Sequence, residues 1–244
     1  MGLAEVENKQ VVQDLIQTKN LKDYNYKVVH YDSSDERGID CALIYKIEIC
    51  ELIESTTHSV LLFDEKGDRD FTRDILEVTL NINKEPMTFL VNHWSSRREG
   101  ELETNHKRVA AAEKVIQIVN KKSTDEKIII MGDFNDDPTS ESIQLLKSKL
   151  DVYNPMDQLK SYDIGSLKYG QKWNLFDQIL FTTNFFEIKS GTHYFSEAYI
   201  FDEAFLKQYK GKYKGNPFRT YVGKRYTGAY SDHFPVYLHL KLKI

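Results

Sequence analysis

The segment IIIMGDFNDDP, residues 128–138, constrains the fold most strongly, because four apolar residues run directly into a cluster of acids. The apolar run predicts a strand that is buried in a sheet. Gly132 permits an unusual backbone angle at the strand end, and the aspartates after it could simply cap a turn ahead of Pro138. A carboxylate beside a buried strand is costly unless it is paired, bound to a metal or solvated at a cleft. The partners of these acids therefore decide what the segment does.

The remaining segments indicate many strands and few helices. This favours the α/β class, with two sheets packed face to face and helices outside. A hairpin is predicted around NKEP at 83–86, which separates two apolar segments. Helices are predicted from Asn8, a plausible N-cap, to 17, from 103 to 122 and from 140 to 150. Strands are predicted at 26–31, 39–46, 73–82, 87–94, 127–131, 175–181 and 234–244.

Composition excludes several classes of protein. A chain of 244 residues with 41% hydrophobic and 29% charged residues fits one globular domain, and nothing marks a seam within it. The net charge of −4 argues against nonspecific coating of nucleic acid. Cys41 and Cys50 are too few for a disulfide framework or a cysteine metal site. No apolar run approaches the roughly 18 residues that span a bilayer. We expect a soluble protein and a monomer, either cytoplasmic or secreted, since a signal peptide would lie upstream of Met1.

Acids and imidazoles recur where the predicted strands begin or end. Each has an ordinary explanation by itself: Glu5 could be a surface glutamate, and His93 could be a core histidine bonded to the backbone. The tripeptide SDH at 231–233 is short enough to arise by chance. Together, five separated segments with the same feature predict one cleft at which these side chains converge: Glu5, His93, Asp133 with Asn135, Asp177, and Asp232 with His233.

Six motifs carry a resemblance to a known family. GLAEVEN, RGIDCALIY, NHWSSR, GDFND, FDQIL and YSDHFPV occur in this order between residues 2 and 236. The chain resembles the endonuclease/exonuclease/phosphatase family in these motifs. The resemblance implies a deoxyribonuclease I-like fold, a four-layer α/β/β/α sandwich of two mixed sheets. It also implies a divalent metal, usually magnesium, and hydrolysis of a phosphoester.

The start of the chain differs from the family pattern. The family normally has an earlier strand with an asparagine that helps to bind metal and phosphate, whereas MGLAEVEN reads as the end of a strand with none before it. We therefore expect residues 1–244 to form a single domain that is shortened at its N-terminus and is less stable than a full-length one. A noncatalytic binding module with the same fold is an alternative, although every later catalytic position that can be matched is filled.

The resemblance makes Glu5 and Asp232 metal ligands. Their chemistry fits magnesium, which prefers hard oxygen ligands and keeps several waters, and Mn²⁺ or Ca²⁺ could substitute for it.

The resemblance also implies roles for the other residues at the strand ends. Asp133 would orient or deprotonate the attacking water, beside the scissile phosphate. His233, held by Asp177, would act as a general acid or base. His93 and Asn135 would donate hydrogen bonds to the phosphoryl oxygens as negative charge builds in the transition state.

Further roles are predicted for Arg37, Asp40 and His93. Arg37 is a candidate for a phosphate contact, and a solvated loop arginine is an equal alternative. Asp40 could orient a histidine. His93 resembles the second histidine of the deoxyribonuclease I, sphingomyelinase and inositol phosphatase branches. This histidine does not choose among these branches. A nuclease is the leading function that we expect, and a phosphatase or lipid phosphodiesterase is the alternative.

The segment from Ala204 to Tyr230 contains seven lysines and arginines, seven aromatic residues and no acid. Such a segment could hold phosphate while stacking on bases or sugars. It could equally be a tyrosine-rich loop whose lysines are merely solvated. If it binds substrate, Arg219, Lys224 and Arg225 are the expected contacts, because they lie closest in sequence to the SDH tripeptide.

Overall fold

The computed structural model describes residues 1–64 and 66–244. Its helices are α1 (Lys9–Ile16), α2 (Asn105–Val119), α3 (Glu141–Lys149) and α4 (Met156–Leu159). Its strands are β1 (Gly2–Val6), β2 (Tyr26–His30), β3 (Asp40–Lys46), β4 (Cys50–His58), β5 (Leu62–Phe63), β6 (Arg69–Asp70), β7 (Ile75–Ile82), β8 (Glu85–His93), β9 (Lys127–Asp133), β10 (Val152–Tyr153), β11 (Leu167–Tyr169), β12 (Lys172–Asn174), β13 (Asp177–Thr182), β14 (His193–Ile200), β15 (Tyr221–Val222), β16 (Arg225–Tyr226) and β17 (Val236–Leu242).

The large sheet has the strand order β10-β13-β9-β8-β7-β4. Strands β8 and β9 are parallel, whereas the other neighbours are antiparallel. After Lys127, the central strand β9 is apolar from Ile128 to Met131 because both of its faces are covered. Ile128 and Ile130 pack against α2 and α3, while Ile129 and Met131 face the opposite layer. This explains the uninterrupted apolar run before Gly132.

The second layer of strands consists of two parts. The first, in the order β1-β3-β2, packs on β7 and β8 through Leu43, Val78 and Val91. The second, β14 paired with β17, packs on β13 through Phe181 and Leu240. Within the described residues, β1 and β17 are not hydrogen-bonded to each other.

Helices cover the outer surfaces of both layers. Helix α1 packs on β1 and β3 through Val12 and Ile16, and α2 and α3 pack on the large sheet. The order from outside to outside is therefore α, β, β, α, as predicted from the sequence. The predicted N-cap is also confirmed, since the Asn8 side chain accepts a hydrogen bond of 3.1 Å from the Val11 amide. Val11 and Leu15 themselves are exposed rather than buried with Val12 and Ile16.

None of the helices in the described part of the chain combines the length and the apolar character needed to cross a membrane.

Candidate active site

Three polar side chains form a row across neighbouring strands of the large sheet. His93, the last residue of β8, lies opposite Asp133, the last residue of β9. Asp177, the first residue of β13, lies opposite Asp133 on the other side. Residues that are paired in this way project from the same face of a sheet. The register thus brings together three residues that the sequence placed at separate strand ends.

Gly132 allows this close arrangement of β8 and β9. Its φ angle is +140°, and a Cβ atom at this position would lie 1.9 Å from the carbonyl oxygen of Asn92. Any other residue would therefore push the two strands apart or distort the bend that directs Asp133. The special backbone angle predicted for Gly132 is confirmed.

His233 reaches the row from the segment that precedes β17. Its Nδ1 atom lies 2.7 Å from the Oδ2 atom of Asp177. Asp133, Asp177 and His233 each offer a possible ligand atom within 4.8 Å of the others. Their side chains are partly buried, with 13%, 20% and 23% of their surface exposed. The four side chains of this cluster, including His93, therefore lie close together where the large sheet meets the segment before β17.

The environment of Asp133 opposes its charge. Burial raises the pKa of the Asp133 carboxyl group to about 6, and the nearby carboxylates of Asp177 and Glu5 act in the same direction. The positive charge of His233 and a hydrogen bond of 2.8 Å from the Asn135 amide act against the increase. Asp133 is thus a carboxylate that is more basic than an ordinary aspartate.

The environment of His233 has the opposite character. Burial alone would lower the pKa of the His233 imidazole, but Asp177, Asp133 and Asp232 outweigh burial and raise it to about 10. The side chain is therefore an imidazolium at neutral pH. A group of this kind can donate a proton or a charged hydrogen bond.

His93 is held in its neutral form. Burial lowers the pKa of His93 well below its ordinary value, and the charges of Arg73, Arg37 and His233 add to this effect. Its Nε2 atom lies 3.9 Å from the Oδ2 atom of Asp133. Its Nδ1 atom is buried and has no hydrogen-bond partner in the described part of the chain. The buried, neutral His93 and the partly buried, charged His233 thus flank the same carboxylate.

Asn135 occupies the bend after β9. Its φ angle is +50°, in the left-handed region that asparagine tolerates better than most residues. The Asn135 amide nitrogen Nδ2 donates to the Trp94 carbonyl at 2.9 Å and lies 3.4 Å from the Oδ2 atom of Asp133. The side chain therefore faces the cleft beside Asp133.

Sequence analysis missed an arginine that fixes this part of the site. Arg73 is 7% exposed and donates to the carbonyl groups of His93, at 3.1 Å, and Trp94, at 2.5 Å. It also donates to the Asp35 carboxylate at 3.0 Å. Arg37 lies 3.8 Å from the other oxygen of Asp35, and half of its side chain is exposed. Asp35 thus connects the candidate phosphate contact to the backbone of His93.

The last two acids of the GDFNDD segment are structural, but the prediction that they cap a turn was wrong. Asp136 is 1% exposed and forms ion pairs with Arg97, at 2.6 Å, and with the fully buried Arg108, at 2.8 Å. Asp137 is 4% exposed and pairs with Lys160 at 2.6 Å. Buried carboxylates need such partners, and these lie more than 20 residues away in sequence. Arg97 was in fact present in the NHWSSR motif.

The two expected metal ligands lie at the edge of the cleft. The Glu5 carboxylate is close enough to raise the pKa of Asp133, and its φ angle of +57° lies at an irregularity in the pairing of β1 with β3. Asp232 is half exposed, and its charge raises the pKa of His233. The mutual repulsion of Glu5, Asp133 and Asp177 and their oxygen donors fit a divalent cation. In the described residues, neither Glu5 nor Asp232 joins the tighter group of Asp133, Asp177 and His233.

Asp40 contacts a histidine that is outside this cluster. Its Oδ2 atom lies 3.2 Å from Nε2 of His30, and its Oδ1 atom accepts a hydrogen bond of 2.8 Å from the Ser33 amide. Asp40 therefore stabilises the ends of β2 and β3 and does not orient His93 or His233.

The basic and aromatic segment at 204–230 reaches the site through Arg219. An Nη2 atom of Arg219 lies 3.9 Å from the Oδ2 atom of Asp232. Lys224 and Arg225 lie on the exposed β15–β16 hairpin, in which β15 pairs with β16 and Tyr221 packs against Tyr226. Arg219 thus lies near the cluster, whereas Lys224 and Arg225 are exposed to solvent.

Several solved structures share this fold. The catalytic domain of human Nocturnin with a bound sulfate anion is 18% identical, with a TM-score of 0.56 over 75% of this chain and 68% of that chain. TDP2 from D. rerio, complexed with a single-strand DNA product, is 14% identical, with a TM-score of 0.64 over 98% and 84%. A mannosyl-6-phosphatase from Bacteroides thetaiotaomicron is 16% identical, with a TM-score of 0.58 over 99% and 84%. At these identities the similarity shows the fold, which confirms the deoxyribonuclease I-like sandwich predicted above.

The family is shown by the sequence itself. No curated protein matches the chain. The model of the Endonuclease/Exonuclease/phosphatase family, however, matches residues 1–242. The chain therefore belongs to the endonuclease/exonuclease/phosphatase family and is a phosphoester-hydrolysing enzyme.

Proposed function

We propose that the chain is a magnesium-dependent phosphodiesterase that cleaves nucleic acid by in-line attack of an activated water. The observation that carries this proposal is the juxtaposition of a basic carboxylate, Asp133, with a charged histidine, His233, that is paired with Asp177. A base and an acid with pKa values shifted apart in one cleft are the requirement for general acid–base catalysis.

Asp133 is the group that receives or orients the proton of the attacking water. A carboxylate with a pKa of about 6 is ionised at neutral pH, yet it accepts a proton more readily than an ordinary aspartate. The hydrogen bond from the Asn135 amide fixes the Oδ1 atom of Asp133, and the Oδ2 atom lies 3.9 Å from Nε2 of His93.

His233 acts as a donor. With a pKa of about 10 it carries its proton at neutral pH, which favours a general acid over the general base that the sequence also allowed. Asp177 keeps the imidazolium in place at 2.7 Å and leaves Nε2 to face the substrate. The proton goes to the leaving oxygen as its bond to phosphorus breaks, or the charged hydrogen bond stabilises a phosphoryl oxygen.

His93 and Asn135 supply neutral hydrogen-bond donors for the phosphoryl oxygens. His93 is neutral because burial and three nearby positive charges disfavour its protonated form. This second histidine supports the proposal that the chain belongs to the two-histidine branches of the family. Arg37, held by Asp35, adds a positive charge on the same side of the cleft.

Glu5 and Asp232 are the residues that would hold the divalent cation, with Asp133 nearby. Their donors are carboxylate oxygens, which suit Mg²⁺, or Mn²⁺ and Ca²⁺ as substitutes, better than zinc. When bound, the cation supplies positive charge that stabilises the phosphoryl oxygens.

The basic segment favours nucleic acid among phosphoester substrates. Arg219, Lys224 and Arg225 extend from the cleft together with exposed tyrosines, an arrangement that suits a charged backbone with bases. The D. rerio TDP2 structure with a single-strand DNA product is consistent with this choice, because the same fold accommodates such a strand there.

A substrate panel tests the proposal. Plasmid DNA, single-stranded DNA, RNA, sphingomyelin, inositol phosphates and mannose 6-phosphate are incubated with the protein and Mg²⁺, and in parallel with a chelator. His233→Ala and Asp232→Ala serve as inactivated controls. Lys19→Gln changes an exposed residue in the turn after α1 and serves as a surface control. We expect metal-dependent cleavage of nucleic acid. Hydrolysis of a lipid or sugar phosphate alone would instead establish the phosphatase or lipid phosphodiesterase alternative.

Magnesium titration by calorimetry tests the noncatalytic alternative separately. Binding that is lost in Asp232→Ala supports the metal site, whereas equal heats for the two proteins would contradict it.

A further inference from the structure

A second cavity lies beside the catalytic cleft. It encloses about 660 Å³, which is within the range of small-molecule sites. One wall is the segment Pro138–Thr139 with Lys147 of α3, and another is formed by residues 160–162 after α4. The third is the tip of the β11–β12 hairpin, with Lys172 and Trp173. None of these residues belongs to the cluster around Asp133.

Two of the walls are attached directly to catalytic residues. Pro138 follows Asn135 by three positions in the same bend. Leu167 of β11 forms a bridge with His233, and the Phe234 amide donates to the Ser166 carbonyl at 2.6 Å. The second strand of the hairpin leads through two residues into Asp177. A molecule that fills the cavity therefore lies next to the substrate path.

Phe234 connects the cavity to the basic segment. Its ring stacks on Trp173, with centroids 6.0 Å apart and an interplanar angle of 23°. On the same ring, the ammonium group of Lys207 lies 5.8 Å from the centroid. The cavity and the basic segment thus contact the same residue, which directly follows His233. A strand that crosses the cleft can contact both of them.

The charges that line the cavity are only partly neutralised. Lys147 pairs with Asp157, and Lys160 pairs with Asp137 at 2.6 Å. Lys172 lies 3.8 Å from Asp137, and two thirds of its side chain is exposed. Lys168 does not line the cavity, and its ammonium group lies 5.3 Å from the centroid of the Trp173 ring. One lining cation, Lys172, is therefore available beside an aromatic ring.

We propose that this cavity binds one nucleotide of a single-stranded nucleic acid, next to the phosphate that is cleaved. The base packs against Tyr162 and the partly exposed Trp173 side chain, and Lys172 binds its phosphate. The combination of an aromatic wall with lysines matches a ligand that has both a flat ring and a negative charge. This inference rests on the proposed function, since it gives the nuclease a subsite for one nucleotide.

Tryptophan fluorescence tests the subsite without catalysis. The chain has two tryptophans, Trp173 in the cavity and Trp94, which is 2% exposed. Adenosine 5′-monophosphate, adenosine and inorganic phosphate are titrated separately, with a chelator present so that nothing is hydrolysed. We expect saturable quenching by the nucleotide and binding at least about tenfold weaker for adenosine and for phosphate, because each lacks one of the two contacts. Phosphate that binds as tightly as the nucleotide would overturn the nucleotide assignment.

Variants identify the residues involved. Trp173→Phe should abolish the quenching while calorimetry still detects binding, and Lys172→Gln should weaken binding about tenfold. Lys19→Gln removes an exposed positive charge from a distant helix end and should leave the dissociation constant unchanged. An equal constant for Lys172→Gln and Lys19→Gln would overturn the subsite.

A separate assay distinguishes failure of the subsite from failure of the proposed function. Hydrolysis of bis(4-nitrophenyl) phosphate by the unmodified protein with Mg²⁺ reports on the catalytic cleft and needs no bound base. Hydrolysis without nucleotide quenching would reject the subsite alone, and quenching without hydrolysis of any phosphodiester would reject the catalytic proposal alone.

Discussion

The Nδ1 atom of His233 lies 2.7 Å from the Oδ2 atom of Asp177, and this contact joins the two layers of strands. Asp177 begins β13 of the large sheet, whereas His233 precedes β17 of the second layer. The pair places a positive charge next to Asp133. Burial and the acidic neighbours of Asp133 disfavour the ionised form of its carboxyl group. The packing of the two layers therefore determines the protonation state of the catalytic groups.

Replacing Asp177 with asparagine should remove the charge that keeps His233 protonated. The pKa of His233 should fall from about 10 towards or below its ordinary value, because burial then acts with less opposition. With the proposed general acid deprotonated, kcat should decrease about a hundredfold. The His233 pKa is measured by NMR in the metal-free protein, and kcat is measured against pH. An unchanged His233 pKa would show that Asp177 is not its main partner.

The raised pKa of His233 should make the stability of the metal-free protein depend on pH. Between the ordinary pKa of 6.5 and the folded value of about 10, the folded state binds more protons than the unfolded state. The contribution of protonated His233 to the free energy of unfolding is therefore fully present below pH 6.5 and is lost as the pH rises through about 10. The difference in unfolding free energy between the natural chain and His233→Asn should shrink over this window, by at most about 1.4 kcal/mol per pH unit. Chemical denaturation with a chelator measures this difference, and a constant value would contradict the prediction.

Arg73 and Arg37 offer a matched pair, because both contact Asp35. Arg73→Met leaves the buried Asp35 carboxylate without its closest partner and frees the carbonyl groups of His93 and Trp94. It should cost about 3 kcal/mol of unfolding free energy. Arg37→Met removes a half-exposed contact at 3.8 Å and should change stability by less than about 1 kcal/mol.

The effect of Arg37→Met on catalysis should be larger than its small effect on stability. Arg37→Met should still lower kcat/KM about tenfold if the guanidinium contacts the phosphate. Denaturant unfolding and steady-state kinetics on each variant check both statements. Equal destabilisation by the two substitutions would mean that Asp35 does not depend on Arg73.

The sequence was sufficient to predict where the strands end and hence the central row of the site. A run such as IIIM can be recognised locally, and strand neighbours then fix which ends meet, so His93, Asp133 and Asp177 follow from the register. The unusual backbone angle at Gly132 could also be predicted from the sequence, because few residues other than glycine adopt it.

The ion pairs behind the site could not be predicted in the same way. Arg73 lies just before β7, outside any periodic segment. Arg108 shares the buried face of α2 with Ala112 and Val115, but this spacing does not identify its carboxylate partner. Their partners are 38 and 28 residues away in sequence, so only the packed structure brings each arginine within 3 Å of its carboxylate. The cap assigned to Asp136 was wrong for this reason: a turn and a buried ion pair have the same local sequence.

The basic segment should contribute to substrate binding more than to chemistry. Lys224→Ala and Arg225→Ala, on the exposed hairpin, should raise KM for single-stranded DNA and leave kcat nearly unchanged. Each removed phosphate contact should also reduce the slope of log KM against log salt by about 0.7. Lys19→Gln is the control for loss of a surface charge. A slope identical to that of the natural chain would place the hairpin outside the path of the substrate.

The two halves of the GDFNDD segment should separate activity from stability. Asp133→Asn should abolish hydrolysis and, without metal, leave the protein as stable or more stable at neutral pH, because the natural carboxylate has a pKa of about 6 and is ionised there at a cost. This cost is present above about pH 6 and disappears as the pH falls towards 3.8, so the advantage of the variant should vanish over the same range.

Asp136→Asn should have the opposite effect. It leaves the fully buried Arg108 without a charged partner at 2.8 Å, which should cost about 3 kcal/mol and lower the melting temperature by roughly 10 °C. The KM of the fraction that remains folded should stay near that of the natural chain, because Asp136 faces α2 and α3 through Arg108 and Ser142 and not the cleft. Thermal denaturation with a chelator, followed by assays below the transition, measures both effects. Similar melting temperatures for the two variants would contradict the division of the segment into a catalytic and a structural half.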